Sequence, residues 1–363
     1  MKIAQIRLAL LKVPLKHPFK TALRTVKEIE DVVVIVQTDE GLTAYGEAAP
    51  TALITGDSKG AIVAAIRDHI APALVGMPLD NLEVVFEWLD NSILKNTSAK
   101  AAVDMAIYDL YGQLIGTPVY KLLGGYRKQL ETDLTISINS PQEMAADSLE
   151  AESLGYKVLK IKLGKDVQLD LQRMEAIVSA VGSDIKFRLD ANQGWKPKEA
   201  VRILRIIEDK GFPIEFVEQP VAAHDFEGLK FVTENTSLDV MADESVFSPS
   251  DALHLLQMRA VDLLNIKLMK CGGIHQALKI CSLAEIFGVD CMVGCMLESK
   301  LSVNAAAHLA AARSVVKHID LDGPGLSLVD PIEGGAHFAH SIITLNDNPG
   351  LGIKRIEGLV YLD

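Results

Sequence analysis

Disulfide chemistry is absent from most of this chain. Its four cysteines, Cys271, Cys281, Cys291 and Cys295, all fall in the last third without CxxC spacing. Neither the density nor the pattern is that of a secreted disulfide scaffold, so a reducing cytoplasm is expected. The opening MKIAQIRLALLKVPL alternates like a strand and lacks the charged stretch, long apolar core and small-residue cleavage site of a secretion signal. No uninterrupted apolar run reaches the roughly twenty residues of a membrane helix. A formal charge of -12 disfavours a polyanion partner, so neither membrane nor nucleic acid is expected. Low-complexity tracts and long linkers are missing too, which implies domains packed together rather than tethered. What is present is 363 residues, 49% of them apolar, enough for two domains or one large barrel with additions.

Five polar residues, Lys162, Asp190, Glu218, Asp243 and Lys267, end five successive apolar runs: VLKIKLG, IKFRLDANQG, IEFVEQP, DVMADES and DLLNIKLMKCGG. Their spacing of about twenty-four to twenty-eight residues is the period of a β/α repeat. With TDLTISIN before them and CMVGCMLES and HIDLDGP after, the repeat runs eight times from about Leu130, which is the number of strands in a closed parallel barrel. Helical runs at Pro141 to Leu154, Asp166 to Val181 and Pro197 to Lys210 separate the strands, whereas glycine and proline follow the eighth. Before Gly124-Gly125 the chain reads differently. Lys2 to Val13, Val32 to Thr38 and Thr43 to Ala48 form a strand meander turning at Asp39-Glu40-Gly41. Helices follow at Lys59 to Val75, Leu82 to Leu89 and Ser98 to Ile115, the last capped by Thr97 or Ser98. The expected fold is α/β: an α+β capping domain over residues 1–125, completed by about 325–363, and a TIM-type barrel over 126–324.

A barrel of this kind gathers the C-terminal ends of its strands around one mouth. An isolated aspartate at a strand end is ordinarily a helix cap or a solvated loop residue. Asp190, Glu218 and Asp243 end consecutive strands, however, and as neighbours at one height they would repel unless a cation neutralised them. Oxygen-only ligation without Cys or His suits Mg²⁺. Asp184, Glu215 and Asp239 on the same strands read as surface residues or residues of the approach.

Lys160 and Lys162 share a strand face by the two-residue period, and Lys267 lies four strands on. Lys162 and Lys267 can therefore approach a substrate from opposite sides, one removing a proton from carbon and the other returning one to the opposite face. That is racemisation or epimerisation at one centre. A lysine base needs its pKa brought down from about 10.4 by burial or neighbouring cations. A metal on the adjacent carboxylate would stabilise the resulting enediolate.

The motifs KIK, DANQGW, EQP, ADES and NIKLMKCGG resemble the enolase superfamily in its muconate-lactonising branch, over nearly the whole chain. The resemblance implies a capping domain over a modified (β/α)7β barrel. It implies one Mg²⁺ per subunit on Asp190, Glu218 and Asp243, acid/base roles for Lys162 and Lys267, an assisting role for Lys160, and Asn192 in the metal neighbourhood. That branch lactonises, dehydrates, racemises and epimerises with these same residues. The eighth strand discriminates among them: Asp320 and Asp322 in HIDLDGP face one way, with no lysine or arginine in the segment to neutralise them, and suit the α-ammonium of a dipeptide. The DxD arrangement resembles the dipeptide epimerases, and TALRTV with ITGDS is similar to segments of L-Ala-D/L-Glu epimerases. The expected reaction is inversion of the C-terminal residue of an L,L-dipeptide to the L,D form. A muconate cycloisomerase or o-succinylbenzoate synthase would have no use for Asp320 and Asp322. A Schiff-base aldolase and a non-enzymatic small-molecule binding barrel are the readings from other classes.

Side-chain preference stays open between two readings. Arg24 pointing inward would pair with an acidic substrate side chain, and as an exposed loop cation it would not. Phe19, Ile54 and Leu297 would instead form an apolar pocket for hydrophobic dipeptides. Thr135 and Cys295 face the same mouth and are expected to contact the peptide. Cys295 has no histidine at a neighbouring strand end to activate it, and His318 reads as a structural residue one layer below Asp320. Barrels of this type commonly form symmetric homo-oligomers.

Overall fold

The computed structural model describes residues 1–20, 25–164 and 166–362. Three strands, Ile3–Lys20, Thr25–Thr38 and Thr43–Ala48, form the antiparallel meander, with Leu8 opposite Val34 and Val34 opposite Gly46. The first two run longer than their apolar alternation indicates. The additional ladder pairs charged residues, such as Lys12 with Glu30, where a salt bridge of 3.1 Å replaces apolar pairing. The middle strand is buried on both faces. Val32, Val34 and Val36 join the main core, while Val33 and Ile35 turn to a second cluster with Leu11, Val13, Leu297 and Leu301. The period of two thus sorts one β-branched run between two cores.

Helix Thr97–Leu114 packs across this sheet on small residues, and the fit is close: a Cβ on Gly46 would lie 1.8 Å from the carbonyl oxygen of Ala102. The residue that opens the helix is Asn96 at φ 49°, with no side-chain cap, rather than Thr97 or Ser98. Asp57 does the capping from outside by accepting the Ser98 amide at 3.0 Å, which local sequence cannot reveal. The same helix serves the barrel, since Asp104 accepts the amides of Ile274 and His275 at 2.6 and 3.1 Å.

The eight barrel strands are Leu134–Ile136, Val158–Lys162, Lys186–Asp190, Ile214–Glu218, Asp239–Ala242, Leu263–Ile266, Asp290–Gly294 and Val316–Asp320. They pair in parallel and in sequence order. The first and eighth strands meet through single bonds instead of a ladder. Asp133 N donates to Ile319 O at 3.3 Å, Leu321 N to Thr132 Oγ1 at 2.8 Å, and Thr135 N to Asp322 Oδ2 at 2.7 Å. Beyond the short helix Gly323–Leu326 the chain runs back over the molecule, and Val360–Leu362 adds an edge strand to the meander with Leu362 opposite Leu8. Among the described residues no helix is long and apolar enough to cross a membrane.

Helix Lys300–Ala312 lies between sheet and barrel and carries the wholly buried His308, whose Nδ1 accepts the Tyr120 amide at 3.0 Å. Burial pushes this imidazole down to about 3. The unfolded chain takes up a proton near pH 6.5 that the folded ring refuses, so stability falls as pH drops from 6.5 towards 3, by about 1.4 kcal/mol per pH unit. Urea unfolding at pH 7.5 and 5.5 is expected to show this loss, and His308→Asn should shrink the difference.

Candidate active site

Alternation along the second barrel strand turns Lys160 and Lys162 into the barrel, where they are buried. Lys160 Nζ lies 2.7 Å from Asp320 Oδ2, 2.7 Å from Glu218 Oε2 and 3.3 Å from Asp190 Oδ2. Lys162 Nζ is 2.5 Å from Asp190 Oδ2, and Lys267 Nζ is 2.8 Å from Asp243 Oδ2. A fourth ammonium, Lys270, reaches Asp243 Oδ1 at 2.6 Å and donates to the carbonyls of Asp243 and Asn265. Asn265 completes the ring by donating to Glu218 Oε1 at 2.7 Å.

Asp190 and Glu218 are direct neighbours in the ladder, but Glu218 pairs with Met241, so Asp243 stands two residues further along, just past the end of the fifth strand. The stagger of a tilted barrel, not equal height, brings the third carboxylate to the other two.

The electrostatics follow from burial. Glu218 is pushed up to about 7 by desolvation and by the charge of Asp190, and Glu244 to about 7 by desolvation and Asp243. Burial also acts to raise Asp243, but Lys267 and Lys270 outweigh it and hold that carboxyl well below the usual range. Burial disfavours the Lys267 cation, yet Asp243 more than compensates and raises its pKa, opposite to the lowering expected of a lysine base, because the carboxylate stands directly beside it. Glu218 Oε2, Asp243 Oδ1, Asn192 Oδ1 and Glu244 Oε2 are buried without an aligned hydrogen bond, even though ammonium groups stand beside the first two. Hard oxygen atoms with spare lone pairs fit a divalent ion such as Mg²⁺. Asp190, Glu218 and Asp243 are the side chains that could hold it.

Asp133, Asp320 and Asp322 form a second group, with oxygen atoms within 4.8 Å of one another. Each has an internal partner: Arg188 Nη1 donates to Asp133 at 2.7 Å, Lys160 to Asp320, and the Thr135 amide to Asp322. Asp320 is therefore neutralised, contrary to the expectation of an unpaired pair, whereas Asp322 accepts a backbone amide instead of a cation. The cation comes from the second strand, one strand beyond the seam, where the eighth segment alone does not reveal it. Desolvation and Asp320 push Asp322 up to about 6.

Above this floor opens a cavity of about 650 Å³ including its mouth. Thr135, Lys160, Lys162, Lys267, Asp320 and Asp322 line it, as do Cys295, Leu297, Phe19 and Ile54. Leu53, Met296 and Leu326 extend the apolar wall. Arg24 lies outside the described residues. The Cys295 thiol is raised well above its ordinary pKa by burial and by Asp322, which keeps it protonated and poorly nucleophilic. His318 stands below, its Nδ1 3.2 Å from Arg188 and its ring edge-on to Phe216. Glu215 is not a surface residue: it is half-buried and accepts Arg188 Nε at 2.9 Å. Arg188, Asn265, Lys270 and Glu244 were not singled out from sequence. Asn265 could have been, because it shares a strand face with Lys267 by the period of two.

An antiparallel cap over an eight-stranded parallel barrel, with carboxylates and lysines converging at one mouth, defines an enolase-like architecture. The chain matches the N-terminal domain of mandelate racemase / muconate lactonizing enzymes over residues 5–124 and an enolase C-terminal-like domain over residues 143–357, and it belongs to that family. It is 57% identical over 356 residues to an L-Ala-D/L-Glu epimerase of Clostridium acetobutylicum, covering 98% of this chain and 99% of the relative. Among solved structures, a substrate-liganded complex of the L-Ala-D/L-Glu epimerase from Bacillus subtilis superposes with a TM-score of 0.96 at 50% identity, covering 97% of this chain and 99% of that one. A dipeptide epimerase from Enterococcus faecalis, complexed with Mg and the dipeptide L-Leu-L-Tyr, superposes with a TM-score of 0.95 at 43% identity, covering 98% and 100%.

Lys160 neutralises carboxylates from three other strands. Lys160→Met should therefore leave buried charge unpaired and cost about 3–5 kcal/mol of stability in the presence of EDTA. Chemical denaturation followed by circular dichroism checks this.

Proposed function

We propose that this protein is a Mg²⁺-dependent dipeptide epimerase that inverts the α-carbon of the C-terminal residue of an L,L-dipeptide to give the L,D form. The observation that carries this reading is the placement of Lys162 and Lys267 on the second and sixth strands of an eight-stranded barrel, hence on opposite sides of one mouth, each beside a carboxylate of the same cluster. The close dipeptide epimerase relatives support the reading. In this mechanism the lysine facing the α-proton accepts it as a neutral amine, and the other delivers a proton to the opposite face from its ammonium form. Asp190, Glu218 and Asp243 would hold Mg²⁺, which when bound would supply positive charge for the substrate carboxylate. Lys160 adds a second positive group beside these carboxylates. Asp320 and Asp322 receive the α-ammonium of the dipeptide. Both line the cavity, and Asp322 forms no salt bridge with a lysine or arginine among the described residues, which supports this assignment. Thr135 and Cys295 border the peptide, and the wall of Phe19, Ile54 and Leu297 surrounds its side chains. The functional unit is the barrel over residues 126–324 under a cap drawn from 1–125 and 325–363. Four free, buried cysteines support a reducing, cytoplasmic setting.

The test is α-proton exchange in D₂O, followed by NMR, over Ala-Glu, Ala-Phe, Ile-Tyr and lysine-containing L,L-dipeptides, with Mg²⁺ or EDTA. Metal-dependent deuterium at the C-terminal α-carbon with L,D product is expected, and its rate ranks the side chains. No exchange on any dipeptide would overturn the reading in favour of cycloisomerase substrates. Lys162→Ala and Lys267→Ala should each lower epimerisation by at least about a hundredfold, to as much as ten-thousandfold. Each single variant is expected to retain exchange with, at most, the diastereomer whose α-proton faces the remaining lysine.

A further inference from the structure

The third strand of the meander brings a wholly buried carboxylate, Glu47, to the cap-barrel boundary. Among the described residues no lysine or arginine forms a salt bridge with it. Its oxygens are satisfied by three donors from the barrel: Oε1 accepts Ser299 N at 2.8 Å, and Oε2 accepts Ser299 Oγ at 2.7 Å and Ser302 N at 2.8 Å. Ser299 is the N-cap of helix Lys300–Ala312, and Ser302 N is one of the first-turn amides that the helix itself cannot pair. A carboxylate there is further favoured by the helix dipole.

The chain on either side of this junction leads to the cavity. Directly before Ser299 runs Cys295-Met296-Leu297-Glu298, whose first three residues line the barrel half of the apolar wall. Glu298 folds this segment onto the same helix by accepting Met296 N at 2.6 Å and the Ser302 hydroxyl. Shortly after Glu47 the cap chain carries Leu53 and Ile54, the other half of the wall. Leu297 packs into the apolar cluster of Val33 and Ile35, so the wall also leans on the capping sheet. A buried carboxylate that lines no part of the cavity is therefore a polar link between the two halves of the wall, beside the apolar contact of Leu297.

We propose that Glu47 is a positioning residue for substrate selectivity, fixing the separation of the Leu53-Ile54 and Met296-Leu297 walls and so the size of side chain the mouth accepts. This rests on the dipeptide epimerase reading. Glu47→Gln keeps an acceptor for Ser299 N but turns an NH₂ group towards donors. Ser299→Ala removes one of the three bonds to Glu47, together with the cap bond from Leu301 N at 3.2 Å, and stands in if the first variant does not fold. Steady-state kinetics with Mg²⁺ on L-Ala-L-Ala, L-Leu-L-Ala and L-Ala-L-Leu should show the KM of a leucine-bearing dipeptide shifted about tenfold relative to L-Ala-L-Ala in Glu47→Gln. The kcat on L-Ala-L-Ala should stay within about threefold. Ser299→Ala should move the same ratio in the same direction by less, and amide hydrogen exchange over 295–302 should quicken in both. Unchanged KM ratios in folded variants, even with a lowered Tm, would overturn the proposal and leave Glu47 a structural brace. A wild-type enzyme inert on all three dipeptides and on the wider panel would overturn the epimerase reading and this proposal with it, whereas normal wild-type turnover with unchanged ratios would remove only the role of Glu47.

Discussion

Lys160 Nζ stands within 2.7 Å of two carboxylates and 3.3 Å of a third, in a side chain only 1% exposed. A lone ammonium at that depth would be prohibitively costly, and so would the carboxylates without it. The mouth of the barrel holds because charges of opposite sign arrive there from several strands. Asp190, Glu218, Asp243 and Asp320 meet Lys160, Lys162, Lys267 and Lys270. The same balance suits the proposed chemistry, in which the carboxylates would exchange ammonium partners for a metal ion and the freed lysines would turn to the substrate. A stable arrangement and a reactive one thus use the same side chains.

One layer below, Arg188 performs the corresponding task for the barrel itself. It donates to Asp133, Glu215 and the Ile319 carbonyl, spanning the seam where the first and eighth strands lack a ladder. Asp322 helps close that seam through the Thr135 amide while also lining the cavity. Architecture and site are therefore coupled at the eighth strand. The cap is coupled to the barrel in a similar manner, by buried acids that accept backbone amides across the boundary: Asp104 at Ile274 and His275, and Glu47 at Ser299 and Ser302. These contacts give the two parts a fixed relation without an apolar interface alone having to do so.

Much of this is legible in the sequence. The apolar runs ending in Lys162, Asp190, Glu218 and Lys267 each became a barrel strand or its last turn, because period-two alternation and a β/α repeat are local properties of the chain. Strand order and alternation likewise place Lys160, Thr135 and Cys295 around one cavity, while Phe19, Ile54 and Leu297, which join them there, are only one of two alternatives that the sequence leaves open. The partners of Asp320 are not legible there, since Lys160 lies 160 residues away and only barrel closure makes them neighbours. The role of Glu215, which the sequence reads as a surface or approach residue, is hidden for the same reason, its partner Arg188 being on the adjacent strand. The cap of helix Thr97–Leu114 was also misassigned, because Asp57 supplies it from a remote loop.

The sequence by itself determined which elements form, their order, and the residue types available at each strand end, since these depend on periodicity, turn chemistry and spacing along the chain. Only the tertiary structure decided which charges neutralise one another, at what relative heights, and which apolar side chains wall the cavity. Pairing energies depend on distance and on exclusion of water, and both come into existence when the barrel closes and the cap settles on it.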